Sequence, residues 1–198
     1  MSEGIFDREG NRKYLTEAER GAFLKASEDE PRESHTFCVL LHYSGCRISE
    51  ALATTAARID LSNHTITFET LKKRKKGVYR TVPLPPEFVD MLDLVHGIRK
   101  LQKKQDDRNT TLWLFSRTTA WRIVKRVMER AKIDAAGADM PKALRHSFGV
   151  NACVKGIPLN KTQQWLGHAS MQTTAIYANA TGEEEKQIAA RMWKQNLG

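Results

Sequence analysis

With 198 residues, 40% hydrophobic and 28% charged, the chain can fill one hydrophobic core, which excludes a disordered chain and a large multidomain enzyme. Lys and Arg (32) outnumber Asp and Glu (23), giving a formal net charge of +9 and a pI near 9.6. No apolar run reaches the ~18–20 residues of a membrane span, and the first twenty residues lack the apolar stretch of a secretory signal. Cys38, Cys46 and Cys153 are odd in number and far apart, so neither a disulfide framework nor structural zinc is expected, and a reducing cytoplasm is.

Residues 1–13 are polar and aperiodic and read as a flexible tail. Thr16 and Glu19 have the capping-box spacing, which predicts a helix over 17–27. After the Pro31 loop, the dense run Phe37–Leu41 predicts a buried helix over 35–43, broken at Ser44-Gly45. Another helical stretch begins at Ile48. The period then changes. Thr65-Ile66-Thr67-Phe68 alternates as a half-buried strand does, and Arg80–Pro85 reads as the returning strand, stopped by proline. The basic run between them becomes the turn and flanks of a β-hairpin, with Gly77 at positive φ. Phe88–Val95 predicts a helix. Ser116 opens a long amphipathic one with Trp121, Val124, Val127, Met128 and Ala131 inward and a basic outer side. Further helices are expected over 142–154, 159–165, 172–178 and 183–194. The expected fold is mainly α with a small antiparallel β-sheet (α+β).

The positive charge is clustered. Residues 1–35 carry nine acidic and six basic side chains, so the surplus lies downstream. It gathers in Lys72, Lys73, Arg74, Lys75, Lys76 and Arg80, in Arg99–Lys104, and in the 117–132 stretch with Arg117, Arg122, Lys125 and Arg126. Clustering of this kind suggests a polyanion; solvated faces are the plainer alternative.

Four residues stand where chemistry needs them. Arg47 follows a glycine at a helix start between apolar segments. Arg145, with Lys142 three residues earlier, lies on a helix among apolar neighbours. Each arginine alone reads most simply as an ion-pair partner, Glu50 in the case of Arg47. Together, two guanidinium forks can clamp one phosphate. His168 follows a helix-ending Gly167, and Tyr177 stands nine residues on among small side chains. A phenol can attack phosphorus if cations lower its pKa or a base takes its proton. No phosphate-binding glycine loop, zinc-helix motif or two-metal acidic cluster competes, so neither metal nor cofactor is expected.

The runs Ser44-Gly45-Cys46-Arg47-Ile48-Ser49-Glu50-Ala51-Leu52, Lys142-Ala143-Leu144-Arg145-His146-Ser147-Phe148 and Leu166-Gly167-His168 with Tyr177 resemble, in order, the boxes of the tyrosine recombinase (phage integrase) family. The resemblance extends over residues 14–180. It implies a site-specific recombinase that joins DNA to Tyr177 through a 3′-phosphotyrosyl bond, without ATP or metal, in integration, excision or inversion. Arg47 and Arg145 would hold the scissile phosphate, Lys142 and His168 would assist, and Glu50 would support Arg47. Double-stranded DNA would be the partner, bound by a tetramer, with accessory DNA-bending proteins and a nucleoid location. Residues 14–182 would form the catalytic domain. The helix over 183–198 would dock on a neighbouring protomer or pack on its own domain.

The sequence departs from the family pattern in three places. Lys142 replaces the usual histidine of the second box; lysine donates but cannot accept, which removes a base role there. The general-acid lysine of the hairpin is Lys72 counting forward from the strand and Lys75 counting back; the forward count avoids the turn and favours Lys72. Only about 15 residues precede the first predicted helix, where family members carry a DNA-clamping domain, so the chain is either a catalytic domain of a longer protein or a naturally short recombinase. A type IB topoisomerase or a non-catalytic DNA-binding relative are the alternatives.

Overall fold

A computed structural model of the chain describes residues 4–70, 77–133, 140–179 and 183–193. It is mainly helical, with one small antiparallel sheet, as the sequence predicts. Helix α1 (Glu17–Ser27) opens with the expected capping box: Thr16 Oγ1 accepts from the Glu19 amide, and the Thr16 amide donates to Glu19 Oε2 at 2.8 Å. Helix α2 (Arg32–Ser44) supplies Phe37, Cys38, Leu40 and Leu41, each at most 1% exposed. It stops at Gly45, whose φ of +58° is the left-handed cap that glycine accommodates. The short α3 (Ile48–Leu52) follows at once.

Strands β1 (Ile59–Asp60), β2 (Thr65–Glu69) and β3 (Tyr79–Pro83) form the sheet in that order. The register pairs Ile66 with Val82, Thr67 with Thr81 and Phe68 with Arg80. Strand periodicity therefore turns Ile66, Phe68, Arg80 and Val82 inward and the threonines outward. Pro86 begins α4 (Pro86–His96), and α5 (Ile98–Gln102) follows Gly97. The Ser116 hydroxyl caps α6 (Arg117–Arg130). Its buried stripe is Ala120, Ile123, Val124, Val127 and Met128. Trp121, expected inward, lies at the border of that stripe and is 37% exposed, with Lys125 Nζ 5.6 Å from the ring centroid.

Helix α7 (Met140–Val154) is the hub. It packs on α2, on α6, on α8 (Leu159–Leu166), on α10 (Glu183–Trp193) and on the 3-10 turn Ile176–Asn179 that follows α9 (Met171–Ala175). Helix α10 lies on α7 of its own chain, where Arg191 Nη2 donates to the Cys153 carbonyl at 2.9 Å. The three cysteines are unbonded. Among the described residues no helix is long and apolar enough to cross a membrane.

The tail expected over residues 1–13 needs correction from residue 4 onward. Asp7 Oδ1 accepts the amides of Glu9 and Asn11, Gly10 takes φ +86°, and Phe6 bridges Arg12. The resulting narrow loop brings the Lys13 amide to the Ile5 carbonyl at 2.7 Å and buries Ile5 to 1%. Arg12 closes it with an ion pair to Glu19. A single bridge leaves no repeating pattern, which is why the segment looks unstructured in sequence.

Candidate active site

The site assembles where two chain breaks, the α2–α3 corner and the end of α8, meet the middle of α7. Arg47 is the N-cap of α3. Its amide donates to Glu50 Oε2 at 2.8 Å and its Nη1 to Glu50 Oε1 at 2.9 Å, so the guanidinium is oriented while its side chain stays 29% exposed. The ion pair expected as the plain reading of Arg47 is thus present and leaves the side chain accessible.

Arg145 is 7% exposed on α7. Nη1 donates to the Gly45 carbonyl at 2.8 Å and Nη2 to the Leu166 carbonyl at 2.6 Å. Two of its five donors are thereby fixed on backbone, tying α7 to both chain breaks. Burial first, and then the like charge of Arg47, lower its pKa to about 10, so it stays protonated at neutral pH. Among the described residues no carboxylate is bonded to Arg145, and carbonyls take that place, an arrangement that leaves the guanidinium suited to an anion.

Gly167, at φ +67°, ends α8 and turns the chain so that His168 follows. His168 Nδ1 shares a hydrogen bond with Thr174 Oγ1 at 2.9 Å, which leaves Nε2 for a phosphate oxygen or a proton. Burial, then Arg145 and Arg47, push its pKa down to about 3, so the ring is neutral at pH 7. Tyr177 stacks on it, with ring centroids 6.0 Å apart and planes at 22°. The His146 ring also lies beside Tyr177, with centroids 5.8 Å apart. Tyr177 is 1% exposed.

The structure therefore brings Arg47, Arg145, His168 and Tyr177 together, with half-buried Lys142 one turn before Arg145 on α7. Lys72, Lys73, Arg74, Lys75 and Lys76 lie outside the described residues; the hairpin is followed as far as the Thr70 amide bonded to the Val78 carbonyl at 2.8 Å, with Gly77 at φ +85° as expected. On α6, Arg117 and Arg122 are exposed. Lys125 pairs with Glu129 at 3.5 Å, and Arg126 is clamped by Glu30.

Arg80 is the clear correction among the residues expected to touch DNA. Its side chain is 4% exposed and bidentate on Glu50, Nη1 to Oε1 at 3.1 Å and Nη2 to Oε2 at 2.7 Å. The strand register turns it inward beside Phe68, away from the outward-facing threonines. Burial alone would raise the Glu50 carboxyl; the bonds and charge of Arg80, with the Arg47 amide, hold it below its usual range.

Sequence reasoning missed two contributors. His146 follows Arg145 directly, yet nothing in the sequence places it against Tyr177. Gly149 lies in the middle of α7, where a Cβ would stand 2.5 Å from Tyr177 Cδ2. A glycine inside a helix is the one available signal, since it costs ~1 kcal/mol relative to alanine and needs a packing reason.

Comparisons with known proteins place the chain in a family. The chain is 29% identical over 188 residues to tyrosine recombinase XerA of Pyrococcus furiosus, covering 90% of this chain and 61% of that protein. It spans less than two thirds of that relative's length. Its fold superposes on XerH site-specific recombinase bound to difH substrate with a TM-score of 0.71 at 20% identity, covering 95% of this chain and 59% of the other. The catalytic domain of bacteriophage HP1 integrase gives 0.64 at 22% identity, covering 93% and 98%. Residues 13–184 match the family model described as the phage integrase family, and on that match, spanning the capped helices, the sheet and all four clustered residues, the chain belongs to the phage integrase family of tyrosine recombinases.

Proposed function

We propose that this chain is the catalytic domain of a site-specific DNA recombinase that cuts and rejoins strands through a 3′-phosphotyrosyl intermediate. The observation that carries the reading is the convergence of Arg47, Arg145 and His168 around Tyr177. The Tyr177 oxygen attacks the scissile phosphorus, forming the P–O(Tyr) bond as the P–O5′ bond breaks. The phenolic proton leaves to the neutral His168 or to water, and a hairpin lysine, Lys72 in preference to Lys75, protonates the departing 5′-oxygen. Arg47 and Arg145 stabilise the charge that builds on the non-bridging oxygens, and the half-buried Lys142 adds a third cationic donor. The phosphodiester energy is kept in the new bond, so a 5′-hydroxyl of a partner strand reverses the step without ATP or metal. Tyr177 is 1% exposed, so the proposed reaction includes a shift of the 3-10 turn that carries it, to bring the phenol to the phosphate.

Duplex DNA is the proposed substrate, with Arg117 and Arg122 of α6 and the basic hairpin holding flanking backbone and four protomers acting together on paired sites. Such contacts make binding fall steeply with salt. A nicked suicide duplex carrying the chain's own crossover site tests the reading. Wild-type protein is expected to form a covalent adduct that Tyr177→Phe does not form; equal adduct from both proteins would sink it. Relaxation of supercoils without site preference would favour the topoisomerase alternative.

A further inference from the structure

We propose that Arg80 is a positioning residue of this active site: without touching DNA, it locks the Arg47–Glu50 pair and the His168 turn into one rigid unit. The inference rests on the recombinase reading above and deepens it.

An arginine on the inward face of a strand, between Phe68 and Val82, is costly unless every donor is used. Arg80 uses all three nitrogens. Nη1 and Nη2 go to the two oxygens of Glu50, and Nε donates to the Trp165 carbonyl at 2.7 Å. The guanidinium carbon stands 5.0 Å from the centre of the Phe68 ring. Stability does not account for this arrangement, because a buried ion pair is generally no more stabilising than apolar residues of the same volume. Geometry does.

On one side Arg80 fixes Glu50. Oε1 of that carboxylate takes Arg47 Nη1 and Arg80 Nη1; Oε2 takes the Arg47 amide and Arg80 Nη2. The carboxylate cannot turn without losing bonds to both arginines, so Arg47 is aimed by Arg80 at one remove. On the other side Arg80 fixes the end of α8. The last carbonyls of a helix have no partner within it. Here the Trp165 carbonyl is taken by Arg80 and the next one, Leu166, by Arg145. Gly167 then turns the chain into His168, and a Cβ at Gly167 would stand 3.0 Å from Arg80 Cδ, so the turn and the arginine are fitted to each other. Arg80 also sits on β3, the strand that follows the lysine-rich segment of the sequence.

Arg80→Lys and Arg80→Gln test this in single-turnover cleavage of the nicked duplex at saturating DNA, alongside DNA affinity by fluorescence anisotropy and thermal melts. Adduct rate and final yield are read separately, so unfolded protein lowers the yield and leaves the rate. The expected result is a fall in rate of about 30-fold or more, the scale of a small misplacement of reacting groups, with affinity held within about threefold. Lysine keeps the charge but cannot span Glu50 and the Trp165 carbonyl together, so Arg80→Lys should recover only part of the rate lost in Arg80→Gln. A loss of yield at unchanged rate, or both variants melting below the assay temperature, would assign Arg80 to the fold alone and overturn the proposal. A loss of affinity at unchanged rate would make it a DNA contact and overturn it equally. If wild-type protein forms no adduct, the recombinase reading fails, and the Arg80 proposal with it; that outcome involves no Arg80 variant and is recognised separately.

Discussion

The ring of Tyr177 occupies the space that a side chain at Gly149 would need, with a Cβ there only 2.5 Å from Cδ2, Cε2 and neighbouring ring atoms. On helix propensity alone Gly149→Ala would stabilise α7 by ~1 kcal/mol. The packing reverses the sign, since overfilling a tight core typically costs ~1–3 kcal/mol. The variant is expected to melt lower than wild type and to form covalent adduct at least about tenfold more slowly, because the proposed nucleophile is unseated. A Gly149→Ala protein that is both more stable and fully active would show that the ring has no such seat.

Ile5 gives the second prediction. It shares a cluster with Tyr14, Val150, Leu166 and Tyr177. Truncation of a fully buried isoleucine costs about 2–5 kcal/mol, whereas a loose tail would lose almost nothing. Urea titration of Ile5→Ala distinguishes the two, and a midpoint equal to wild type would contradict the buried loop.

A pH dependence follows from His42. Burial, then the charge of Arg20, lower its pKa to about 3, and its Nε2 lies 3.2 Å from Arg20 Nη2. The folded state thus holds a neutral imidazole while the unfolded state protonates near pH 6.5. The unfolded chain binds more protons below that value, so stability is complete above about pH 6.5 and declines as pH falls toward 3. The slope for His42 is at most about 1.4 kcal/mol per pH unit, and His168, also depressed to about 3, acts in the same direction. Between about pH 6.5 and 4.5 this precedes the carboxylates, such as Glu50, whose lowered pKa values matter only in stronger acid. His42→Gln should be less stable than wild type at pH 7 and flatter across that window; an unchanged slope of urea midpoint against pH would refute the assignment.

The hairpin lysine can be identified by chemistry. A substrate whose 5′-bridging oxygen is replaced by sulfur has a leaving group that needs no proton. Lys72→Ala is expected to cleave the ordinary phosphodiester about 10²–10⁴-fold more slowly, the usual scale of general acid catalysis, and to recover on the sulfur substrate. Lys75→Ala should show neither effect. The reverse pattern would move the role to Lys75.

Local rules were the legible part of this protein. The Thr16–Glu19 box, the glycine stops at 45 and 167 and the alternating strand at 65–68 act within a few residues, and each formed as expected. The order of the arginines, His168 and Tyr177 was legible too. What could not be read were pairings across the chain. Arg80 meets Glu50 from 30 residues away, and its inward direction depends on a one-residue register that would flip every side chain if it slipped. The Ile5 loop rests on one bridge, and the fit of Gly149 to Tyr177 depends on how α7 meets a 3-10 turn.

The carboxylate of Glu50 has a further consequence for the charge at the reaction centre. Four N–H groups from two arginines occupy its acceptor positions, so it is not open to take a proton from the reaction. It acts as a fixed counter-ion. Arg47, Arg80 and Arg145 contribute three positive charges, Glu50 offsets one, the neutral His168 adds none, and Lys142 on α7 adds a further cation nearby. A phosphodiester brings one negative charge, and the attacking phenolate brings a second. In the proposed reaction that positive surplus is in place before the phosphate arrives, ready for the charge that builds in the transition state.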